Sequence, residues 1–306
     1  MSASELRILE HGDELAREAV DFVVWLGEQA IARYGRFRLA LSGGSTPKAL
    51  YTLLAGAALA TRLDWSRASF FFGDERCVPP DHADSNFRMA NDTLLKPLKI
   101  APDRVFRMRG EDAPDTAARH YEDSIRKEFG VAAPVRPSFD LILLGLGDDG
   151  HTASLFPQTQ VLSEGQRLVV PNQAPQGVKQ RLTFTAPLIN HAQTVVFLVS
   201  GASKAPAVKA VLEDRAADPT KFPAKLVQPE QGRLIWFLDR AAAAELATEQ
   251  SSRRRYQRTA ETLTQACGSS SAQKREWQEA RGQAGQETVN GRVRTPHPGA
   301  RRRAGA

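Results

Sequence analysis

The chain is poor in cysteine and has no long apolar run. Its 306 residues include only two cysteines, Cys77 and Cys267, which excludes a disulfide scaffold and a thiolate zinc cluster and fits a reducing compartment. No stretch approaches the roughly 18 apolar residues of a membrane helix. The first residues carry charges of both signs and lack the apolar core of a signal peptide. We therefore expect a cytoplasmic protein without membrane association.

The basic charge of the chain is concentrated at its carboxyl end. The sequence has 41 Lys and Arg against 35 Asp and Glu, a formal net charge of +6. Residues 248–306 hold 12 of the basic groups and five of the acidic ones, a net charge of +7. The first 247 residues keep 29 basic and 30 acidic groups, a net charge of −1. The charge balance is therefore no argument that the body binds nucleic acid.

Composition divides the chain into a body, residues 1–247, and a tail, residues 248–306. The tail is rich in Arg, Gly, Gln, Ser and Ala and holds few large apolar residues. Such a segment buries too little surface to offset its ordering entropy, so we predict that it is disordered. A basic arm for nucleic acid or another polyanion is the alternative, but charged runs are usually only solvated.

The body alternates short apolar strands with amphipathic helices. The predicted strands are Phe37–Leu41, Ser69–Phe72, Phe139–Leu144, Thr194–Val199 and Leu234–Leu238, and the predicted helices are Pro47–Leu54, Asn86–Leu95, Ala117–Phe129 and Lys204–Leu212. Almost wholly apolar strands separated by helices indicate an α/β fold. We predict an open, doubly wound, mostly parallel sheet with helices on both faces, which is Rossmann-like. Such a sheet binds its ligand at the carboxyl ends of the strands.

The first unusual segment follows the strand Phe37–Leu41. It has the sequence Ser42-Gly43-Gly44-Ser45-Thr46 and leads into Pro47 at a predicted first helical position. Glycines let backbone N–H groups approach an anion closely, and a helix amino terminus adds positive potential. The alternative is a plain strand-to-helix turn capped by Ser45 or Thr46. The segment lacks the Walker ending and the full dinucleotide fingerprint, so a nucleotide site is disfavoured.

The second segment follows three consecutive phenylalanines and has the sequence Gly-Asp74-Glu75-Arg76. Asp74 and Glu75 can accept hydrogen bonds from sugar hydroxyls or handle a proton. Arg76 can hold an anion or polarise a carbonyl. The alternative is a surface loop with a local ion pair. Farther along, Asp84 or Ser85 is expected to cap the next helix.

The third segment, residues 145–157, is the most informative. A buried strand ends in Gly-Leu-Gly-Asp-Asp149-Gly-His151, followed by Thr-Ala-Ser-Leu-Phe156-Pro. A lone histidine is more often structural than catalytic, but Asp149 lies two residues away and can orient the imidazole of His151. No second histidine stands at ligand spacing, so we predict no metal site.

In this order, the three segments resemble the 6-phosphogluconolactonase family of the pentose phosphate pathway. The pattern continues through Gln180–Pro187, Val199–Lys204 and Leu234–Asp239. The resemblance spans about residues 6–247 and implies that the body is a sugar-phosphate lactonase domain. The implied reaction is hydrolysis of 6-phospho-D-glucono-1,5-lactone to 6-phosphogluconate without a cofactor.

The resemblance also implies roles for individual residues. His151 matches the general base, and Asp149 the residue that orients it. Arg76 matches the position that stabilises the carbonyl oxygen or holds the substrate, with Asp74 beside it. The positions that match the family's phosphate site are Gly43, Gly44, Thr46, Arg181 and Lys204. Amide donors, a guanidinium and an ammonium suit a phosphate.

Two other functions compete with this prediction. Glucosamine-6-phosphate isomerases share the Asp-Gly-His turn, but that family has a glutamate five residues after the histidine. Here Phe156 stands at that position and cannot move a proton. A sugar-phosphate-sensing module without catalysis is the other alternative. The implied partner is a small phosphorylated lactone; no nucleic acid is expected for the body, and we expect a monomer, although the sequence does not fix the oligomeric state.

Overall fold

The computed structural model describes residues 4–247, which form an α/β body. The strands are β1 Glu5–Leu9, β2 Phe37–Leu41, β3 Ala68–Phe72, β4 Asp74–Arg76, β5 Leu141–Leu144, β6 Val169–Gln173, β7 Gln180–Phe184, β8 Thr194–Val199 and β9 Arg233–Asp239. The helices are α1 Gly12–Tyr34, α2 Ser45–Leu54, α3 Ala57–Ala60, α4 Asn86–Ala90, α5 Pro114–Phe129, α6 Ala186–Asn190 and α7 Ala205–Leu212. The predicted tail, residues 248–306, lies outside the described residues, so its disorder and the 247/248 boundary stay predictions.

Six strands form one parallel sheet in the order β1-β9-β8-β5-β2-β3. The central strands are buried along their whole length, since helices cover both faces. In β5, Leu141 and Leu143 pack into one apolar core, and Ile142 and Leu144 into the other. This two-residue alternation between two cores is what a doubly wound sheet requires. The predicted fold class is confirmed.

A second, antiparallel sheet of order β4-β7-β6 lies beyond β3. It is joined to the main sheet through Gly73, whose N–H donates to Leu41 and whose carbonyl accepts from Phe184. This sheet was not predicted from the sequence. The three residues of β4 are all charged, and such a sequence predicts a loop unless the partner strand is known.

Several boundaries differ from the prediction for identifiable reasons. Helix α2 begins at Ser45, and its amino-terminal cap is Gly44 at φ 107° with no side-chain cap, so capping by Ser45 or Thr46 was wrong. Ser85 does cap α4, as expected, by accepting from the Arg88 N–H at 3.1 Å. The predicted helix over residues 86–95 is α4 followed by a π-helical turn, Asn91–Leu95.

The amino-terminal pair β1 and α1 was also absent from the predicted elements. Strand β1 has two charged residues in five and lies at an edge of the sheet, so it lacks the apolar run that marks the central strands. Helix α1 spans 23 residues and buries apolar side chains in the same core as Ile235 and Phe237 of β9. No helix among residues 4–247 is long and apolar enough to cross a membrane.

Candidate active site

A polar cavity of about 580 Å³ opens where the central strands end. Its walls come from the turns after β2, β5 and β8 and from the small antiparallel sheet. All nine site residues predicted from the sequence line it: Gly43, Gly44, Thr46, Asp74, Arg76, Asp149, His151, Arg181 and Lys204. The topology therefore brings together residues from both halves of the body, as expected at the carboxyl edge of an open sheet.

The turn after β2 forms one wall of the cavity and leads into α2. Tyr51 of α2 fixes the turn, because its hydroxyl both accepts from the Ser42 N–H and donates to the Ser42 carbonyl, each at 2.9 Å. Gly43 packs so closely on Asn86 that a Cβ there would lie 2.0 Å from the Asn86 Oδ1. The first N–H groups of α2 have no intrahelical partner. They and the buried, unpartnered Ser42 Oγ border the cavity, which suits an anion.

The histidine turn forms the facing wall. The Nδ1 of His151 lies 2.6 Å from the Asp149 Oδ1, and the backbone N–H of His151 donates to the same oxygen at 3.1 Å. With Nδ1 engaged, Nε2 is the ring nitrogen left to act on a ligand. The ring packs on Phe156 with 4.7 Å between centroids. A Cβ on Gly147 would lie 2.0 Å from Nδ1, so only glycine leaves room for this arrangement.

Asp149 keeps its charge in this setting. Burial alone would raise its pKa, but the hydrogen bond and the charge of His151 outweigh burial and lower the pKa below its ordinary value. The pair thus has an ionised carboxylate that fixes the imidazole orientation, the recurring arrangement of a general base and the group that orients it.

Two arginines lie side by side on the small sheet. Arg76 of β4 and Arg181 of β7 are direct partners in the antiparallel register. Within residues 4–247 no carboxylate is within ion-pair distance of either guanidinium, and the Nε of each is buried without a partner. Burial, and then the charge of Arg76, lower the pKa of Arg181. Two adjacent cations without an ion-pair partner beside a cavity suit the binding of an anion.

Asp74 is buried among neutral donors. Its Oδ2 accepts from the Ser154 Oγ at 2.7 Å, and its Oδ1 accepts from the Asn86 Nδ2 at 3.2 Å. The carboxylate therefore ties the histidine turn to the start of α4. Neither Asn86 nor Ser154 was predicted as a cavity residue, because their contacts with Asp74 span 12 and 80 positions of the chain.

Glu75 does not face the cavity, so the suggestion that it contacts a sugar was wrong. Its side chain is 2% exposed and accepts from the backbone N–H groups of Arg76, Asn86 and Phe87 and from the Ser85 hydroxyl. Burial raises its pKa, and the backbone donors counteract this. Glu75 anchors the amino end of α4.

Lys204 reaches the cavity from the 3₁₀ turn Ala202–Lys204 that follows β8. Its Nζ lies 2.6 Å from the Asp148 Oδ1, which also accepts from the Ser203 Oγ at 3.2 Å. Asp148 was not among the predicted site residues. Its carboxylate is 64% exposed, and ion pairs at such exposure contribute little, so an anionic ligand can take its place on Lys204.

Clustered metal ligands and a reactive thiol are two further features to locate in the described part of the chain. No group of three His, Cys, Asp or Glu side chains there is arranged to hold a metal ion. Burial, together with the charge of Glu75, raises the pKa of the Cys77 thiol to about 11, so almost no thiolate exists at neutral pH. Cys77 also lies outside the cavity lining.

Comparison with known proteins places this geometry in a family. The model of the family described as glucosamine-6-phosphate isomerases/6-phosphogluconolactonase matches residues 10–236. The 6-phosphogluconolactonase of Synechocystis sp. is 46% identical over 246 residues, 80% of this chain and 99% of that protein. The one of Nostoc sp. is 40% identical over 79% of this chain and 98% of its own.

Solved structures agree with the sequence relatives. The 6-phosphogluconolactonase from Trypanosoma cruzi superposes with a TM-score of 0.72 at 32% identity, over 81% of this chain and 98% of that one. A monomeric glucosamine-6-phosphate deaminase superposes at 0.64 with 24% identity, which indicates a common fold only. The chain therefore belongs to the glucosamine-6-phosphate isomerase/6-phosphogluconolactonase family.

Proposed function

We propose that this protein hydrolyses 6-phospho-D-glucono-1,5-lactone to 6-phospho-D-gluconate, with His151 as the general base. The observation that carries the proposal is the His151–Asp149 pair, which faces the same cavity as two arginines without a carboxylate partner. The first feature suits activation of water, and the second suits a phosphorylated substrate. The relatives named 6-phosphogluconolactonase, matched over most of their length, support the same reaction.

The chemistry needs one proton transfer in each direction. The oxygen of a water molecule adds to the lactone carbonyl carbon while Nε2 of His151 takes one of its protons. The carbonyl electron pair moves to the oxygen, where the positive charge of Arg76 stabilises it. When the carbonyl re-forms, the ring C–O bond breaks, and the imidazolium returns the proton to the departing ring oxygen.

A separate group of cations and backbone amides binds the phosphate of the substrate. Arg181, Lys204 and the α2 amino terminus with Gly43, Gly44 and Thr46 hold the phosphate. Asp74 keeps the histidine turn and α4 together through Ser154 and Asn86, so its proposed contribution is orientation. Positioned base catalysis is worth roughly 10²–10⁴, which suffices for a reactive lactone.

Hydrolysis of the lactone by wild type, His151→Ala and His120→Ala tests the proposal. His120 is an exposed residue of α5 and serves as the matched control. Wild type should exceed the spontaneous rate, His151→Ala should lose at least about 10²-fold, and His120→Ala should stay within about twofold. No activity above the spontaneous rate would refute the assignment. Release of ammonia from glucosamine 6-phosphate would favour the isomerase instead.

A further inference from the structure

The turn that carries Lys204 is held in place by a buried carboxylate outside the cavity. Strands β8 and β9 are parallel, with Val199 opposite Leu238. The next residues, Ser200 and Asp239, therefore emerge side by side at the carboxyl edge of the sheet. Asp239 is only 6% exposed and does not line the cavity, whereas Ser200 and Lys204 do.

Every hydrogen bond of the Asp239 carboxylate goes to a neutral donor. It accepts from the Ser200 Oγ at 2.5 Å, from the Gly201 N–H at 3.1 Å and from the Ala242 N–H at 2.7 Å. Among residues 4–247 no lysine or arginine forms an ion pair with it. A buried carboxylate without a cation is stabilised only by such donors. The carboxylate of Asp239 therefore holds the Ser200 hydroxyl and the Gly201 and Ala242 N–H groups in place.

The neighbouring elements leave the turn little freedom. Gly201 has φ 104°, a conformation that glycine adopts without strain, and its carbonyl accepts from the Lys204 N–H at 3.1 Å. A Cβ on Gly12, the first residue of α1, would lie 2.8 Å from the Ser200 Oγ. The positive end of α1 thus packs against the Ser200–Asp239 pair, which favours the negative charge there.

We propose that Asp239 is a positioning residue for substrate binding: it fixes the turn Ser200–Lys204 so that Lys204 reaches the phosphate. This inference rests on the proposed function, because the phosphate contact of Lys204 is part of it. Asp239 itself touches neither substrate nor reacting atoms. Its effect should pass through Lys204, so it belongs in the binding of the phosphorylated ligand and not in the proton transfer of His151.

A double-mutant cycle of Asp239→Asn with Lys204→Ala tests this directly. Asp239→Asn should raise KM for the phosphorylated lactone about tenfold and leave kcat within about twofold. In the Lys204→Ala background the same change should alter KM by less than about twofold, because residues that act as one unit are not additive. Full additivity in KM, or a loss confined to kcat, would overturn the proposal.

The matched control is Asp140→Asn. Asp140 also stands at the end of a strand and accepts a hydrogen bond from a backbone N–H, that of Arg38 at 2.7 Å. It precedes β5, however, and so lies at the amino ends of the strands, away from the cavity. The substitution Asp140→Asn should lower the unfolding temperature without changing KM. A KM rise equal to that of Asp239→Asn would reduce the effect to general destabilisation and contradict the proposal.

Two further arms keep the test decisive. If Asp239→Asn does not fold, Ser200→Ala replaces it in the same cycle, with an expected KM rise of about threefold that vanishes in the Lys204→Ala background. Calorimetric Kd values for 6-phosphogluconate repeat the cycle without turnover. If the wild type does not hydrolyse the lactone but the two substitutions are non-additive in Kd, the proposed function is refuted and the role of Asp239 is supported. If the Kd changes are additive, the role of Asp239 is refuted even when the wild type is active.

Discussion

At the scale of single residues, Gly147 leaves the room that the contact between Asp149 and His151 needs. A methyl group there would lie 2.0 Å from the His151 Nδ1 and 2.6 Å from the Asp149 Oδ1. We expect Gly147→Ala to displace the imidazole of His151, which is 31% exposed, to keep the fold and to lower kcat/KM about 10²-fold, since misplacement of a base is costly.

The control for this substitution is Gly165→Ala, because nothing lies within 4 Å of a Cβ at that position. Steady-state kinetics and circular dichroism of both variants make the comparison. Wild-type kcat/KM in Gly147→Ala would mean that the Asp149–His151 contact does not orient the base.

Asp149 should also leave a mark on the pH dependence of stability. Its pKa is lowered in the folded protein: burial raises it, but the hydrogen bond and charge of His151 lower it more. An acid with a depressed folded pKa stabilises the protein above its unfolded pKa, about 3.9, and loses that contribution as the pH falls through the folded value. The unfolding temperatures of wild type and Asp149→Asn should therefore differ at pH 5 to 7.

That difference should begin to narrow below about pH 4 and should close as the pH falls through the lowered pKa of Asp149. Thermal unfolding followed by circular dichroism across this range provides the measurement. A difference that persists unchanged to pH 3 would show that the asparagine acts by some route other than the loss of charge.

At the scale of elements, Glu75 holds α4 against the small sheet. Both of its oxygens accept, one from the Asn86 and Arg76 N–H groups and the other from the Phe87 N–H and the Ser85 hydroxyl. In Glu75→Gln an amide NH₂ would face donors. We expect the free energy of unfolding to fall by about 2 kcal/mol.

Urea denaturation of Glu75→Gln beside Glu28→Gln measures this effect. Glu28 is an exposed residue of α1, where the change should cost less than about 0.5 kcal/mol. Equal midpoints for the two variants would mean that α4 does not depend on this anchor.

Sequence patterns predict some elements much better than others, for physical reasons. The strands Phe37–Leu41 and Thr194–Val199 were predicted to the residue, because buried parallel strands are apolar on both faces. Strand β4 was missed because its three charged residues become a strand only by pairing with β7. Tertiary pairing, not local preference, forms it.

The same division holds within the site. Asp149 and His151 are two positions apart, so their contact was predicted from spacing. The Lys204–Asp148 ion pair and the Asp74–Ser154 hydrogen bond join distant positions, and no local pattern announces them. The nine cavity residues were found because each follows a strand or belongs to the family pattern; their roles stay predictions.

At the scale of the whole molecule, charge and activity should separate along the chain. The body carries −1 and residues 248–306 carry +7. Deleting 248–306 should abolish binding to a cation exchanger at pH 7 and leave kcat/KM within about twofold, because the cavity lining comes from residues 42–204. A large loss of activity on deletion would mean that the tail takes part in the site.

The side-by-side placement of Arg76 and Arg181 on β4 and β7 has a consequence for stability. The two like charges, each with a buried unpartnered Nε, oppose each other, and a bound anion would weaken that repulsion. Binding sites often lower the stability of the unliganded protein because their groups are arranged to interact with a ligand. Under the proposed function, the substrate would contact Arg76 through its carbonyl oxygen and Arg181 through its phosphate, and would so join two strands that lie far apart in the chain. We therefore expect the unfolding temperature to rise with the concentration of such a ligand.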